Sequence, residues 1–484
     1  MAMKVLGEEK PLDVFIQASD ILADAVKHTL GPKGLNTAVC TSSSGFYQII
    51  NDGKSIVQDI TSEDPVLAPA LELLKQSCFE TNRIAGDGTT STILMTNKLL
   101  HKVKEHLEKN KHINAITLRN ELLNIRDELL LQVDDFKKTI TEENYYDVAT
   151  VALGGNEYSN LIADAYKFVG PEGSVAFIRE DRRDVVLDCA DGVTLDKTEF
   201  KIIPMKEAKE LYDCPILVLY EKVDRFAELI EILNKTVEYK GKKTIILYNE
   251  MSWDASSNIY ANVGDARIDV IPIRMGAYGV ATKDVMEQIA EYAGCKMIDG
   301  VKVKLSSIEN LDEVFGKIDK ALVSEDKVVL CTNNKIKKNK NHVLQLSSKS
   351  CIIRIGGSNK IEQEETFRRI EDAVSSLGTA IKDGITTGGG LTYINVFESV
   401  HDFYKYDYLG DVSEVIYRTV VYNSTGITKI PKEYVGLFPE GDNWDVIKSN
   451  VFDSSMVVKE VIRNSFSLVA QIITTNRLVH ELIR

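Results

Sequence analysis

The sequence contains no Cys-x-x-Cys pair, no apolar run approaching the length of a membrane span and no surplus of basic side chains. Each absence excludes a class of protein. Its seven cysteines, Cys40, Cys78, Cys189, Cys214, Cys295, Cys331 and Cys351, are scattered and odd in number. That argues against a zinc site or a disulfide framework and for a reducing compartment, most simply the cytoplasm. Several sit in apolar runs such as Cys214-Pro215-Ile216-Leu217, where a thiol behaves as a small buried hydrophobe. A bilayer span needs about 20 apolar residues, and Met1-Ala2-Met3-Lys4 does not open a signal peptide; no membrane is expected. Fifty-eight Lys and Arg against seventy-two Asp and Glu give a net charge of −14. Nucleic acid and anionic membrane select basic surfaces, so neither is an expected partner. The one basic cluster, Lys335-Ile336-Lys337-Lys338-Asn339-Lys340, has no aromatic residue and reads as a solvated loop. No Gly-x-x-x-x-Gly-Lys-Ser/Thr occurs, and no Gly-x-Gly-x-x-Gly opens a strand–helix unit, which excludes a P-loop or Rossmann nucleotide site.

What is present is ordinary globular composition, 44% hydrophobic and 27% charged, spread over 484 residues. That is too long for one core, so about two to four domains are expected. Leu12, Phe15, Ile16, Ser19, Ile21, Leu22, Ala25 and Val26 keep an approximately helical period over residues 11–30. Gly31-Pro32 breaks that helix. Short strands are expected at residues 37–40 and 47–50, a turn at Asn51-Asp52-Gly53, and helices at residues 65–83, 90–110 and 115–136. From about residue 136 the character changes. Strand-like runs at 175–178, 185–187, 216–220, 243–248, 268–273 and 327–330 alternate with helices at 226–237 and 283–292, which reads as an α/β unit. Helix returns over 363–382 and 457–482. The ends are thus helical and the middle α/β, as if one domain were inserted between two halves of another. No internal repeat or low-complexity tail is visible.

Three glycine-rich turns carry the candidate chemistry: Thr29-Leu30-Gly31-Pro32, Ala85-Gly86-Asp87-Gly88-Thr89-Thr90-Ser91-Thr92, and Thr387-Gly388-Gly389-Gly390. In the second, two glycines flank a carboxylate, three hydroxyls follow and a helix begins. Open N–H groups and the positive dipole end of a helix suit a phosphate, and an aspartate suits Mg²⁺. The competing reading is a capped helix start and nothing more.

Together these turns resemble the group I chaperonins. Ala25-Val26-Lys27-His28-Thr29-Leu30-Gly31-Pro32-Lys33-Gly34 is similar to that family's first signature and residues 85–92 to its phosphate loop. Arg369-Ile370-Glu371-Asp372-Ala373 with Gly384-Ile385-Thr386-Thr387-Gly388-Gly389-Gly390 is similar to its hinge helix and third nucleotide loop. The resemblance implies a multi-domain fold: an all-α equatorial domain (1–134 and 384–484), an α+β intermediate domain (135–191 and 351–383) and an α/β apical domain (192–350). It implies ATP and Mg²⁺, with K⁺ a further candidate ion. Thr29, Leu30, Gly31, Pro32, Gly88, Thr89, Thr90, Ser91, Gly388, Gly389, Val451 and Asp453 would hold the nucleotide. Asp87 would ligate the metal. Asp372 would orient and polarise the attacking water, with Asp52 the second catalytic carboxylate. Ile230, Leu233, Ile259 and Tyr260 would face unfolded polypeptide clients, although helical spacing alone makes Ile230 and Leu233 core. A homo-oligomeric ring is implied; a co-chaperonin lid is left open.

Four departures from the family pattern stand out. Asn51 replaces the usual lysine, which removes a cation from the phosphate site. The stretch 335–350 is too short for the family's helical hairpin. Lys349-Ser350 replaces a hinge glycine pair, while Gly192 remains on the other hinge strand. The stretch 396–442 is shortened, the part around Leu437-Phe438-Pro439 lacks an asparagine, and residues 482–484 carry no Gly-Met tail. The expected activity is ATP-hydrolysing chaperone action. The alternatives are a hydrolysis-deficient holdase ring, which Asn51 favours, and a metabolic phosphotransferase, for which the α/β part offers no His, Lys or Arg cluster.

Overall fold

The computed structural model describes residues 3–6, 11–40, 47–155, 157–171, 173–190, 192–196, 200–202, 208–239, 242–264, 268–276, 281–308, 310–325, 327–332, 349–401, 406, 408–430, 437–440, 443–446 and 451–481. It divides into two compact units, Met1–Asp164 with Gly357–Arg484, and Ala165–Gly356. The basic stretch 335–340 and most of 335–350 lie outside the described residues, as do the last three positions.

The first unit begins with β1 (Met3–Leu6), α1 (Pro11–Val26) and a 3₁₀ turn (Lys27–Thr29). The hairpin β2 (Thr37–Cys40) and β3 (Tyr47–Ile50) follows, then α2 (Gly53–Asp59), α3 (Leu67–Ala85), α4 (Thr89–Lys109), α5 (Ala115–Phe136) and α6 (Tyr145–Leu153), while α7 (Ser159–Val169) runs across the boundary at Asp164. Val14, Phe15, Ala18, Leu22 and Val26 of α1 are buried, the 3.6-residue stripe read in the sequence. Asn51-Asp52-Gly53 is no simple turn. Asp52 caps α2, accepting from the N–H of Lys54 and of Ser55, both at 3.0 Å, and Gly53 is already helical. An aspartate cap before a short polar helix carries little hydrophobic period, which is why α2 was not anticipated.

The second unit holds β4 (Ser174–Arg179), β5 (Val186–Ala190), β6 (Val193–Asp196), β7 (Phe200–Ile202), β8 (Lys209–Leu219), α8 (Ile230–Glu238), β9 (Thr244–Tyr248), α9 (Trp253–Gly264), β10 (Val270–Met275), α10 (Ala281–Ala293), β11 (Phe315–Val323), β12 (Lys327–Cys331) and β13 (Ser350–Ile355). Seven strands form one mixed sheet in the order β6-β12-β11-β8-β9-β10-β7. The β8–β9–β10 pairs are parallel and the others antiparallel. β4, β13 and β5 form a separate sheet. In its β13–β5 register Cys351 lies opposite Cys189, and the two are joined as a disulfide. That corrects the expectation from spacing, because 162 residues separate the pair in the chain and only sheet register brings them together. Lys349-Ser350 also acquires a role: Ser350 is buried, its hydroxyl lies 2.7 Å from that of Thr194, and the Lys349 ammonium stands over the Phe168 ring.

The chain then completes the first unit with α11 (Lys360–Asp383), β14 (Ile385–Thr387), α12 (Leu391–Glu398), α13 (Gly410–Ser413), α14 (Val415–Thr425), β15 (Leu437–Glu440), β16 (Asn443–Val446), β17 (Phe452–Ser454), α15 (Ser455–Ile472) and β18 (Leu478–Glu481). α15 packs against α3, α4 and α5, burying Val458, Val461, Ile462, Phe466 and Val469. Each fully buried aliphatic side chain of this kind stabilises the core by about 1.5–3 kcal/mol. The final helix is shorter than expected. It stops at Ile472, and Leu478–Glu481 pairs antiparallel with Met3–Leu6. The first unit is therefore not purely α: among the described residues four two-stranded pairs, β1–β18, β2–β3, β14–β17 and β15–β16, accompany its helices.

Candidate functional site

Three turns far apart in the chain line one cavity of about 920 Å³ in the first unit. At the first, Thr29 closes the 3₁₀ turn by donating to the Val26 carbonyl at 2.9 Å. Asn423 of α14 donates through Nδ2 to the carbonyls of Lys27 and Leu30, both at 2.8 Å, which fixes Leu30-Gly31-Pro32 in the wall. Gly31 has φ +91°, and a β-carbon there would stand 3.1 Å from Val420 Cγ1.

The second turn joins α3 to α4. Gly86 ends α3 at φ +78° with its N–H on the Asn82 carbonyl at 2.8 Å. Asp87 Oδ1 accepts the Gly88 N–H at 2.5 Å. Gly88 is the N-cap of the 21-residue α4 and offers no side chain to its first amides. Those amides are left for a ligand. The Thr89 hydroxyl is buried with no hydrogen-bond partner, unmet polar capacity of the kind a ligand satisfies. A β-carbon on Gly53 would lie 2.2 Å from Thr90 Oγ1, so the starts of α2 and α4 touch and Asp52 comes beside the loop.

At the third turn, the Gly388 N–H donates to the Val451 carbonyl at 2.8 Å. A β-carbon on it would meet Val451 Cγ1 at 2.9 Å and Asp453 Oδ1 at 3.0 Å. The β14–β17 pairing sets Thr386 opposite Asp453. Asp453 is not the cap of α15; that position is Ser454. Asp372 reaches the cavity from α11.

The cavity gathers Thr29, Leu30, Gly31, Pro32, Asp52, Asp87, Gly88, Thr89, Thr90, Ser91, Asp372, Gly389, Val451 and Asp453. Gly388 is not among the lining residues; its N–H is held by the Val451 carbonyl beside Gly389. Tyr393 of α12 lines it too and had no sequence signal, being one aromatic in an apolar helix. Asn423, likewise, is one of several polar residues on α14 and nothing in its spacing marks it. The cavity-facing Arg368 and Arg369 were legible in principle, four and three residues before Asp372.

The electrostatics are those of an acidic cavity. Withdrawal from water pushes Asp87 up to about 6, partly offset by the Gly88 N–H and reinforced by the charge of Asp52. Withdrawal from water and then the Asp87 charge push Asp453 up to about 7. Asp372 is raised well above the carboxylate range by burial, then by Asp87 and Asp52. Such carboxylates favour a cation among them. Among the described residues no three acidic, His or Cys side chains form a metal cage by themselves. Mg²⁺ does not need one, because it binds through one or two carboxylates together with phosphate oxygens and water. The residues therefore fit a metal that arrives with a polyphosphate.

The expected client face divides. Ile230 and Tyr260 are 45% and 37% exposed, but Leu233 and Ile259 are buried in the core beneath α8 and α9. The correction has a simple cause: Leu233 and Ile259 fall on the inward stripes of their helices. Val237 and Trp253, seven residues from Ile230 and Tyr260 respectively, are 60% and 84% exposed and extend the outward stripes.

A family model described as the TCP-1/cpn60 chaperonin family matches residues 22–416. A curated relative, the chaperonin GroEL of Mycoplasmoides gallisepticum, is 25% identical over an alignment of 532 positions covering 99% of this chain and 98% of the relative. Two crystal forms of the chaperonin gp146 from the bacteriophage EL 2 (Pseudomonas aeruginosa), both in the presence of ATP-BeFx, share the fold. Their TM-scores are 0.70 and 0.68 at 16% and 15% identity, with 99% of each chain covered.

Proposed function

The chain belongs to the TCP-1/cpn60 chaperonin family, and from that premise we propose that it is an ATP-hydrolysing, ring-forming chaperone of divergent group I type. The observation that carries the reading is the convergence of three glycine turns and four aspartates on one cavity. The open amides of α4 and the Thr89, Thr90 and Ser91 hydroxyls receive phosphate oxygens. Gly389, Val451 and Asp453 receive the nucleoside end. Asp87 is the metal ligand, and Mg²⁺, when bound, neutralises charge on the phosphates.

Asp372 orients a water whose oxygen forms a bond to the terminal phosphorus. The bond from that phosphorus to the bridging oxygen breaks, and its electron pair leaves on ADP. One proton of the water is accepted at the Asp372 carboxylate, whose proton affinity is raised by burial and by the charges of Asp87 and Asp52. Phosphoryl transfer of this kind depends on positioning and charge neutralisation rather than on covalent chemistry. Differential affinity for ATP and ADP then shifts the populations of the chain's conformers. Unfolded clients bind the exposed apolar stripes Ile230/Val237 and Trp253/Tyr260, because a soluble surface displays such groups for a partner. A ring with closed symmetry repeats these stripes around a centre.

The deciding experiment compares Mg²⁺-dependent ATP hydrolysis of the wild type with Asp372→Ala. The reading expects the variant to bind ATP and to lose roughly 10²-fold or more in turnover. Equal hydrolysis by both removes Asp372 from the site. A wild type that binds denatured protein without hydrolysing ATP makes the chain a holdase.

A further inference from the structure

Position 51 carries no charge: Asn51 lines the cavity and its Nδ2 donates to Asn36 Oδ1 at 3.0 Å. The floor of the cavity is four aspartates, and among the described residues every basic side chain in its lining, Lys360, Arg368 and Arg369, is on α11. A polyphosphate entering this cavity needs positive charge beyond its metal ion; Lys54 of α2 acts on Asp372 from outside the lining, and within the lining that charge comes from α11.

The three basic residues are not equivalent. Lys360 opens α11 and is exposed; it lies twelve residues from Asp372, about 18 Å along the helix. Arg369 is exposed and reaches the end of α6, where its Nη2 would stand 3.8 Å from a β-carbon on Gly154, the C-cap of that helix. A cation there complements the carbonyl end of α6. Arg368 is different on both counts. Its side chain is only 21% exposed, and it sits one turn before Asp372 on the same helix face. It pairs with Glu364, a further turn away, at 3.3 Å, and its stem is long enough to swing from that carboxylate toward Asp372.

We propose that Arg368 is the cation of the terminal phosphate, supplying from α11 the charge that Asn51 does not supply from the loop before α2. The proposal rests on the nucleotide reading of the cavity. A guanidinium offers two parallel N–H groups to phosphate oxygens, and one supplied from within the same chain stabilises charge that develops during transfer. Because Arg368 and Asp372 share one helix face, any movement of α11 that brings the carboxylate to the water brings the guanidinium to the phosphate.

The test uses the full chain and two readouts: the affinity for ADP against a non-hydrolysable ATP analogue, and steady-state ATP turnover. Arg368→Ala is expected to lower the preference for triphosphate over diphosphate by about tenfold, the worth of one charge-assisted hydrogen bond. It is expected to reduce turnover by about 10²-fold. Adding Asn51→Lys in that background is expected to restore at least about tenfold of the loss, because a cation returns to the same phosphate. Arg368→Ala with both quantities within about twofold of wild type overturns the proposal. So does an equal loss of ADP and triphosphate affinity that Asn51→Lys does not repair, which marks a merely structural role. A wild type that fails to hydrolyse ATP sinks the turnover reading, while the triphosphate preference still decides Arg368 on its own.

Discussion

A β-carbon on Gly86 would stand 2.1 Å from the β-carbon of Ser375. The phosphate loop and α11 thus approach to a distance only glycine permits. Gly86 immediately precedes Asp87 and Ser375 follows Asp372 by one turn, so this contact also sets the spacing of the two carboxylates. Gly86→Ala combines the clash with an unfavourable φ of +78°, itself costing about 1 kcal/mol. The expected outcome is a melting temperature lower by a few degrees, roughly 2–4 °C per kcal/mol in a unit of this size. Turnover is expected to fall about tenfold or more, because α11 is held away from the loop. Hydrolysis at the wild-type rate in a folded Gly86→Ala protein would separate the contact from the chemistry.

The acidic cavity makes the nucleotide-free protein sensitive to pH. Asp453 and Asp87 are pushed up to about 7 and about 6, above the roughly 3.9 of an unfolded aspartate. Between those values the folded chain binds more protons than the unfolded one, so this contribution to stability is full at low pH and is lost as pH rises through about 6 to 7. Asp453→Asn removes one titrating group without changing shape. The difference in melting temperature, variant minus wild type without nucleotide or metal, is expected to grow in the variant's favour from pH 5 to pH 8. A pH-independent difference would mean that Asp453 is well hydrated. Mg²⁺ competes with these protons, so stabilisation by Mg²⁺-ADP is expected to increase over the same interval.

Much of this site was legible because its parts are local signals. Gly-Asp-Gly-Thr before an apolar helix declares a turn, a carboxylate and open amides together, and Gly31 and Gly389 mark positive φ. Long helices such as α4 and α5 declared themselves by period. What stayed hidden depends on register or on which face a helix turns inward. Leu233 and Ile230 are three residues apart on one helix, and only packing decides that the first is core and the second exposed. β11 interleaves Lys317, Asp319 and Lys320 with buried Ile318 and Ala321, so its charges masked a strand in the middle of the sheet. The pairing of β18 with β1 and of Cys189 with Cys351 joins residues whose separation no local pattern records.

The division between Leu233 and Trp253 separates stability from client binding. Leu233 is 5% exposed and packs beneath α8, so Leu233→Ala is expected to cost about 2–5 kcal/mol. Trp253 is 84% exposed, and Trp253→Ala with Ile230→Ala is expected to leave the melting temperature within about a degree while weakening capture of a denatured polypeptide severalfold. Light scattering of a chemically denatured client reads the second effect and thermal melting the first. Client capture that survives the double substitution would move the binding surface elsewhere.

Arg354 carries the last prediction. Its guanidinium is 9% exposed and forks onto Glu210, at 2.5 and 2.8 Å, while also donating to Asp188 at 3.0 Å. Lys320 binds Asp188 as well and stands 3.5 Å from Glu210. The four residues come from β13, β8, β5 and β11, so one ionic cluster spans both sheets of the second unit. Burial opposes ionisation of Asp188 and Glu210, yet Lys320 and Arg354 hold Asp188, and Arg354 holds Glu210, below the usual carboxylate range. Stability from groups shifted in this direction is present above about pH 4 and is lost as acid protonates them. Arg354→Ala would leave two carboxylates sharing one lysine in a partly buried place. The expected cost at neutral pH is about 3–5 kcal/mol, read as a lower denaturant midpoint and earlier proteolytic cleavage within residues 165–356. The same variant is expected to lose less stability than wild type on going from pH 7 to pH 3, because the protons it gains no longer break the cluster. A cost below about 1 kcal/mol would place the cluster with solvent-screened surface pairs and leave polar contacts such as Ser350–Thr194 and Lys327 on the Val175 carbonyl to tie the two sheets.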